Sequence, residues 1–405
     1  MRPQTSSWYL ALSSYWFASS FKWFLVLLVL LPARVSQLVP ETEKAGKLGL
    51  LFGIGAVMAL LGPPLFGYLS DRVGRRLPYL ASGAVLTALA LVWLAYAPSY
   101  GQLLVAYLLL QLADDLSTGP YSALIPDLVP RKKRGEASGW MGALQVTAQV
   151  FAGIVGFAVG RLDIQFLIIA FLTLLAATFT LWGVREAPNY PTNHKSLAES
   201  LAAPWKNPDF RWVWATRFLV MLAQYMVQTY LQYYLADVVK TFQAFGSKLA
   251  SEPFQAVALL GLFISLGAAI SSLPAGWLSD TRGRKPVIYL AGTGLGLLML
   301  PIILIPRYDV LIALAVLFGI FFGAYLAVDW ALVSDVLPDP ESHATDMGLW
   351  QTAIVLPQVL AGSLGGVLDR VNQQTPNLGY TALFIAAGFF FVMGSLLVSR
   401  VRGSR

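Results

Sequence analysis

The sequence predicts an all-α integral membrane protein of twelve transmembrane helices, arranged as two six-helix bundles related by pseudo-symmetry. Three observations carry the prediction. Of 405 residues, 57% are hydrophobic and only 12% charged, about half of the roughly 25% charge found in soluble chains. Apolar runs of about 20 residues, the length a helix needs to cross the hydrocarbon core, recur along the chain. Two segments of the first half also return in the second half at nearly one spacing.

Runs delimited by charge, Pro or Gly place the helices in order. The first, 8–31, is too long for a signal-peptide core and lacks a small-residue cleavage site after it, so it reads as a retained span. The second, 46–69, closes at the charges beginning with Asp71, and the third, 78–97, opens at Pro78. The fourth, 101–126, is separated from the fifth, 137–160, by the basic run Arg131, Lys132, Lys133 and Arg134. The sixth, 163–184, ends at Arg185. The longest connection, 185–208, rich in Pro, Asn and Ser, divides a first bundle (1–184) from a second (209–405). The second bundle reads as 209–236, 254–277, 286–306, 308–335, 346–369 and 379–399.

Twelve spans put both termini on one side. With that side cytoplasmic, eighteen Lys and Arg residues fall inside, against eight outside: Arg34, Lys44, Lys47, Arg161, Lys240, Lys248, Arg307 and Arg370. Positive charge stays on the cytoplasmic side, so the chain is expected in the cytoplasmic membrane with both termini inside. The net charge of +7 follows from these loops, and no nucleic-acid partner is expected.

The repeat is explicit. Gly67-Tyr68-Leu69-Ser70-Asp71-Arg72-Val73-Gly74-Arg75-Arg76 returns 209 positions later as Gly276-Trp277-Leu278-Ser279-Asp280-Thr281-Arg282-Gly283-Arg284-Lys285. Ala123-Leu124-Ile125-Pro126-Asp127-Leu128-Val129-Pro130 returns after 208 as Ala331-Leu332-Val333-Ser334-Asp335-Val336-Leu337-Pro338. Gly67, Gly74, Gly276 and Gly283 suit tight turning and close approach. Asp71 and Asp280 are placed to pair with basic groups or helix N-termini, and Arg72, Arg75, Arg76, Arg284 and Lys285 are expected at the cytoplasmic surface. This G-x-L-S-D-x-x-G-R-[RK] pattern, with twelve spans and a mid-chain loop, resembles the signature of the major facilitator superfamily over the whole chain. The resemblance implies secondary transport of a small-molecule solute by alternating access, by a monomer, with these loops controlling conformational switching.

Five ionisable residues fall inside expected spans: Lys22, Asp114, Asp115, Arg217 and Asp329. Charge within a bilayer marks a solute or ion path; the resemblance places these four spans around a central cavity. Tyr15, Ser19 and Lys22 share a helical stripe, as do Gln111, Asp115, Thr118 and Ser122. Arg217, Met221, Gln224, Gln228 and Gln232 form another stripe, with Arg217 near enough to the cytoplasmic end to snorkel. Tyr325 lies one turn before Asp329, Gln145 and Gln149 share a face, and Gln358 occupies the repeat position of Gln149. These amides suit sugar hydroxyls or interhelical hydrogen bonds. Trp16, Trp23, Tyr233 and Trp350 are aromatic candidates for stacking on a pyranose.

Three acids face two bases, so one acid lacks a partner; Asp115, near mid-span with Lys22 as its expected neighbour, is the first candidate proton carrier, with Asp114 and Asp329 in reserve. The stretch Gly119-Pro120-Tyr121-Ser122-Ala123-Leu124-Ile125-Pro126-Asp127-Leu128 resembles the fourth helix of sucrose/proton symporters, and the chain is similar to the glycoside–pentoside–hexuronide branch. That resemblance implies proton-coupled sugar symport. It departs from the plant carriers at Ser122, where they have Arg, and from the sodium-coupled ones at Ala59 and Gly62-Pro63, which offer no carboxylate. Proton-coupled export of drugs or metabolites and lipid or lysolipid carriage remain alternatives. With no cysteine and only His194 and His343, both in connecting segments, no metal, cofactor or intramembrane enzyme centre is expected.

Overall fold

The computed structural model describes residues 5–122, 124–129, 134–186, 204–244, 246–336 and 343–402. Helix α1 runs unbroken over Ser6–Leu38. It is followed by α2 (Lys44–Val73), α3 (Leu77–Tyr96), α4 (Tyr100–Ser122), α5 (Arg134–Ala158) and α6 (Leu162–Gly183). The second half supplies α7 (Pro208–Tyr234), α8 (Pro253–Arg282), α9 (Arg284–Leu304), α10 (Tyr308–Val336), α11 (His343–Ser363) and α12 (Leu378–Leu397). Each expected span overlaps one of these helices. Ten helices are long and apolar enough to cross a membrane among the described residues. The other two, α4 and α7, have 23 and 27 residues, about 34 and 40 Å at 1.5 Å per residue, and carry three of the five interior charges, Asp114, Asp115 and Arg217.

The helix ends depart from the apolar runs where polar residues prolong a helix. α1 continues through a widened π turn at Val26–Leu30 to Leu38. Pro32 cannot donate to the carbonyl of Leu28, and the wider turn accommodates that loss. α8 continues to Arg282, where Gly283 at φ 92° is the single residue before α9. Gly74, its repeat counterpart, has φ 66°; an L side chain resists that conformation, which accounts for glycine at both turns. Glu186 caps α3, accepting from the backbone N–H of Arg76 and of Leu77, the latter at 2.8 Å. α11 is interrupted after Ser363 and followed by a short helix, Gly365–Gln374.

Packing divides the chain into two compact units: Met1–Leu38 with Ile54–His194, and Val39–Gly53 with Lys195–Arg405. Within the first, α1 packs on α5 and α6, and α3 on α4 and α6. Within the second, α7 packs on α11 and α12, and α9 on α10 and α12. The four helix pairs correspond one to one, so the repeat in sequence is a repeat in packing. α8 and α10 meet through small residues: a Cβ on Gly319 would lie 2.0 Å from the Ile264 carbonyl oxygen, the close approach by which membrane helices associate. In the first unit, Tyr9, Leu12, Tyr15, Leu80 and Tyr121 build the core around α1.

Candidate functional site: two buried ion pairs and an unpaired carboxylate

Lys22 lies at the midpoint of Ser6–Leu38, about 24 Å from either end at 1.5 Å per residue. No lysine stem reaches water from there, so the ammonium needs a partner within the bundle. That partner is Asp114 of α4, paired through Oδ1 and also receiving Trp23 Nε1 on Oδ2 at 2.6 Å. Lys22 and Asp114 are 1% and 3% exposed. Lys22 also stands 4.9 Å from the centre of the Trp23 ring. The expected stripe is present, but it faces α4: Tyr15 donates to Ser117 Oγ at 2.9 Å, and its ring meets Tyr121 edge-on.

Successive residues on a helix point about 100° apart, and Asp115 therefore faces away from Asp114, toward α2. Lys22 neighbours both acids and forms its ion pair with Asp114. Asp115 is buried, receives Gln111 Nε2 at 3.3 Å on Oδ1, and has no hydrogen-bond partner on Oδ2. Its wall is Gly62, where an added Cβ would stand 2.3 Å from Asp115 Oδ2. Gly62, noted in the sequence only for lacking a carboxylate, makes room for one on the facing helix. Thr118 and Ser122, on the same stripe, turn their hydroxyls back to the carbonyls of Asp114 and Gly119.

The second unit holds its own pair. Arg217 of α7 bonds Asp329 of α10, and its guanidinium lies 3.5 Å from the centre of the Trp350 ring. Tyr325 donates to the other Asp329 oxygen at 3.4 Å. Arg217 is 2% exposed and Asp329 fully buried, so Arg217, although near enough to a helix end to snorkel, is turned inward. A planar, weakly hydrated guanidinium stacks on indole and pairs with carboxylate at once. Trp350 is thus occupied by Arg217, not open for a sugar ring. Further along α7, Gln224 donates to Gln228 at 3.3 Å; both are half-buried, as are Gln145, Gln149 and Gln358, while Gln232 is buried.

In the loops, Arg76 is 4% exposed, its side chain tucked among loop partners and not spread on the surface. It donates to Ser70 Oγ at 2.6 Å and pairs with Asp127 at 3.2 Å. In the repeat, Arg284 donates to Ser279 Oγ at 2.7 Å. In each loop one arginine thus fastens the serine of its own motif. Gly67 and Gly276 have open space where a Cβ would stand, Arg75 is exposed and Lys285 half-buried. The side chains of Asp71, Arg72 and Asp280, and residues 187–203 of the linker, lie outside those described. Sequence reasoning passed over Ser117 as a partner of Tyr15 and Trp23 as a donor to Asp114; an indole N–H beside an intramembrane charge was the available signal.

The chain is 23% identical over 355 residues to an uncharacterised MFS-type transporter of Methanocaldococcus jannaschii, covering 85% of each chain. It is 26% identical over 352 residues to the multidrug resistance protein MdtG of Proteus mirabilis, covering 84% of each. Its fold is similar to the crystal structure of the peptide transporter POT in complex with sulfate, with a TM-score of 0.76 at 15% identity over 98% of this chain and 95% of that one. These relatives are membrane transporters, not enzymes. The profile of the Major Facilitator Superfamily matches residues 9–263 and 242–404, and with twelve helices in two repeated sets the chain belongs to that superfamily of transporters.

Proposed function

We propose that this transporter is a proton-coupled symporter of a sugar or similar polar small solute. It works as a monomer by alternating access in the cytoplasmic membrane, with both termini inside, and Asp115 carries the proton. One observation carries the reading: Asp115 is the interior acid without a counter-cation. Protonating Asp114 or Asp329 leaves Lys22 or Arg217 charged and unpaired in a buried place, whereas protonating Asp115 breaks no ion pair and removes an uncompensated charge. The half-buried amides of Gln145, Gln149, Gln224, Gln228 and Gln358, with Gln111, support a neutral, hydroxyl-bearing solute. The six-helix halves, 1–184 and 209–405, act as the moving bodies, and the repeated loops around Asp71 and Asp280 control their switching. Export is the second reading, favoured by the relative named as a multidrug resistance protein.

The test uses proteoliposomes and a solute chosen by thermal shift from sugars, polyols and cationic drugs. Each pH unit of gradient supplies about 1.4 kcal/mol of drive. The parent protein is expected to accumulate solute down an imposed proton gradient. Asp115→Asn is expected to lose accumulation and keep solute exchange. Continued accumulation by Asp115→Asn overturns the assignment, and solute leaving against the entering protons selects export.

A further inference from the structure

Basic residues gather at the end of the second unit where α7 and α9 begin and α12 finishes. α12 runs antiparallel to both neighbours, and small residues fix the register. A Cβ on Gly394 would lie 3.1 Å from the Thr216 carbonyl oxygen of α7, and one on Gly296 of α9 would lie 2.9 Å from that of Gly388. Ser399 comes five residues after Gly394, as Arg211 comes five before Thr216; it also comes eleven after Gly388, as Lys285 comes eleven before Gly296. Arg211 and Lys285 therefore both stand level with residues 398–402. That segment is held in place. Val398–Arg400 follows α12 as a tight turn, Val398 and Val401 are fully buried, and the Arg402 N–H donates to Asp209 of α7 at 2.8 Å. Arg400 and Arg402 are left exposed. Lys206 is exposed as well, in the turn Pro204–Lys206. The ring of Trp205 meets Phe210 at 5.7 Å and Trp214 at 5.4 Å, both edge-on, and so folds that turn onto the start of α7.

Among the described residues, none of Lys206, Arg211, Lys285, Arg400 and Arg402 forms an ion pair. Asp209, the acid in their midst, accepts the Arg402 backbone N–H. The first unit closes its matching end with an acid of its own: Glu186, just after α6, accepts the N–H groups of Arg76 and Leu77 at the start of α3. Residues 398–402, just after α12, supply two arginines and no acid. A balancing anion there has to come from outside the chain.

We propose that this cluster binds the phosphate of an anionic phospholipid whose acyl chain lies along α12. The surface that leads to the cluster is apolar. Ile385, Phe389, Met393 and Leu396 are exposed at helical spacing on α12, and the next place on that stripe is Arg400. Phe389 to Arg400 spans about 16 Å at 1.5 Å per residue, half of the roughly 30 Å hydrocarbon core and thus the depth of one leaflet. Trp205 and Trp212, exposed on the same side of the cluster as the start of α7, suit the level of the headgroups. A soluble anion would meet the charges and leave the stripe uncovered, whereas a lipid satisfies both. Basic pockets at the ends of membrane helices recognise headgroups in this way. The proposal needs the membrane fold alone, and neither the solute nor the coupling assigned above.

The test titrates lipid into the purified full chain in non-ionic detergent and counts bound lipid by native mass spectrometry. Phosphatidylglycerol, phosphatidylcholine and inorganic phosphate are the probes. The parent is expected to take its first phosphatidylglycerol about tenfold more tightly than phosphatidylcholine, and inorganic phosphate is expected not to displace it. Arg400→Gln is expected to weaken phosphatidylglycerol about fivefold, the equivalent of about 1 kcal/mol, and Arg400→Gln with Arg402→Gln about twenty-five-fold. Lys248→Gln, exposed in the connection after α7, is expected to bind as the parent does. One variant keeps the charge and moves it. Arg400→Gln with Ser399→Arg turns the guanidinium about a third of a turn off the stripe, and is expected to bind as weakly as Arg400→Gln alone. Should the double arginine variant misfold, Arg211→Gln is expected to show the same loss of about fivefold. Equal binding of the two lipids overturns the proposal, as does parent-like binding by Arg400→Gln or by the variant with the moved charge. Displacement by inorganic phosphate assigns the cluster to a soluble anion and overturns the lipid.

Discussion

Neutralising one member of the Lys22–Asp114 pair tests whether the interior of the first unit is built as described. Asp114→Asn leaves the Lys22 ammonium about 24 Å from either end of its helix at 1.5 Å per residue, beside the Trp23 ring and within electrostatic reach of Asp115 but without its ion-pair partner. Removing one partner of a buried pair costs about 3–5 kcal/mol, and this site has no route to water that would lower the figure. Lys22→Met is expected near the low end of that range, since Asp114 keeps the Trp23 N–H. Removing both charges together, as Lys22→Met with Asp114→Leu, takes away the desolvation cost with the attraction, and such replacements range from neutral to stabilising by about 1–4 kcal/mol. The two losses are therefore strongly non-additive, by at least about 3 kcal/mol in a double-mutant cycle. Unfolding of the four purified proteins in detergent, by denaturant or heat, measures the cycle. Single variants within about 1 kcal/mol of the parent would show a solvated pair and refute the buried placement. Solute exchange by the double variant separates the roles further: retained exchange marks a pin between α1 and α4, and lost exchange at normal stability marks a working pair.

Two further substitutions probe the other partners. Gly62→Ala places a methyl group where Asp115 Oδ2 stands, 2.3 Å away, and is expected to reduce gradient-driven accumulation about tenfold, a shift of about 1.4 kcal/mol, while exchange continues; accumulation at the parent level would detach coupling from the carboxylate's position. Arg217→Lys keeps the charge but loses the flat guanidinium on Trp350, and is expected to destabilise by about 1–2 kcal/mol in thermal unfolding; an unchanged midpoint would show that charge alone holds α7 to α10.

Much of the fold was legible because lipid imposes a simple rule: every crossing needs a long apolar run, and charge collects in the loops. The runs located the twelve long helices among the described residues, and the loop motif located the repeat. The ends were less legible because apolarity measures the hydrocarbon thickness, whereas a helix continues as long as its backbone bonds are satisfied. Thus α1 reaches Leu38 past Arg34, and α2 starts at Lys44. Within the site, the sequence identified Lys22, Asp114, Asp115, Arg217 and Asp329 by cost alone, and by charge count left one acid over. It did not assign partners, because a choice between adjacent residues such as Asp114 and Asp115 depends on which face meets α1, a fact of packing. The Lys44–Asp237 ion pair was missed for a related reason. Lys44 reads as an ordinary loop charge until α2 docks, and Asp237 becomes its partner only through the widened turn that ends α7.

Among the described residues an unpaired buried acid arises in one half, and the repeat explains why its counterpart position holds none. Packing is shared: α2 meets α4 as α8 meets α10, and each half ties its first helix to its fourth with one buried pair. The chemistry at equivalent places is not shared. Stepping 208 positions from Asp115 along the repeat of the fourth helix leads to Gly323, and stepping 209 from Gly62 along the second leads to Ser271. At the first contact the bare backbone of α2 faces a carboxylate of α4. At the second the glycine is on α10, where a Cβ would stand 2.6 Å from Ser271 Oγ and 2.5 Å from the Ala268 Cα. The small residue has changed sides, and the space it leaves holds a serine hydroxyl in place of an acid. A carboxylate at 323 has no room, because the α8 backbone already fills it. The position in the second unit that corresponds to Asp115 is therefore closed to an acid by sterics, independently of how the ion pairs are distributed.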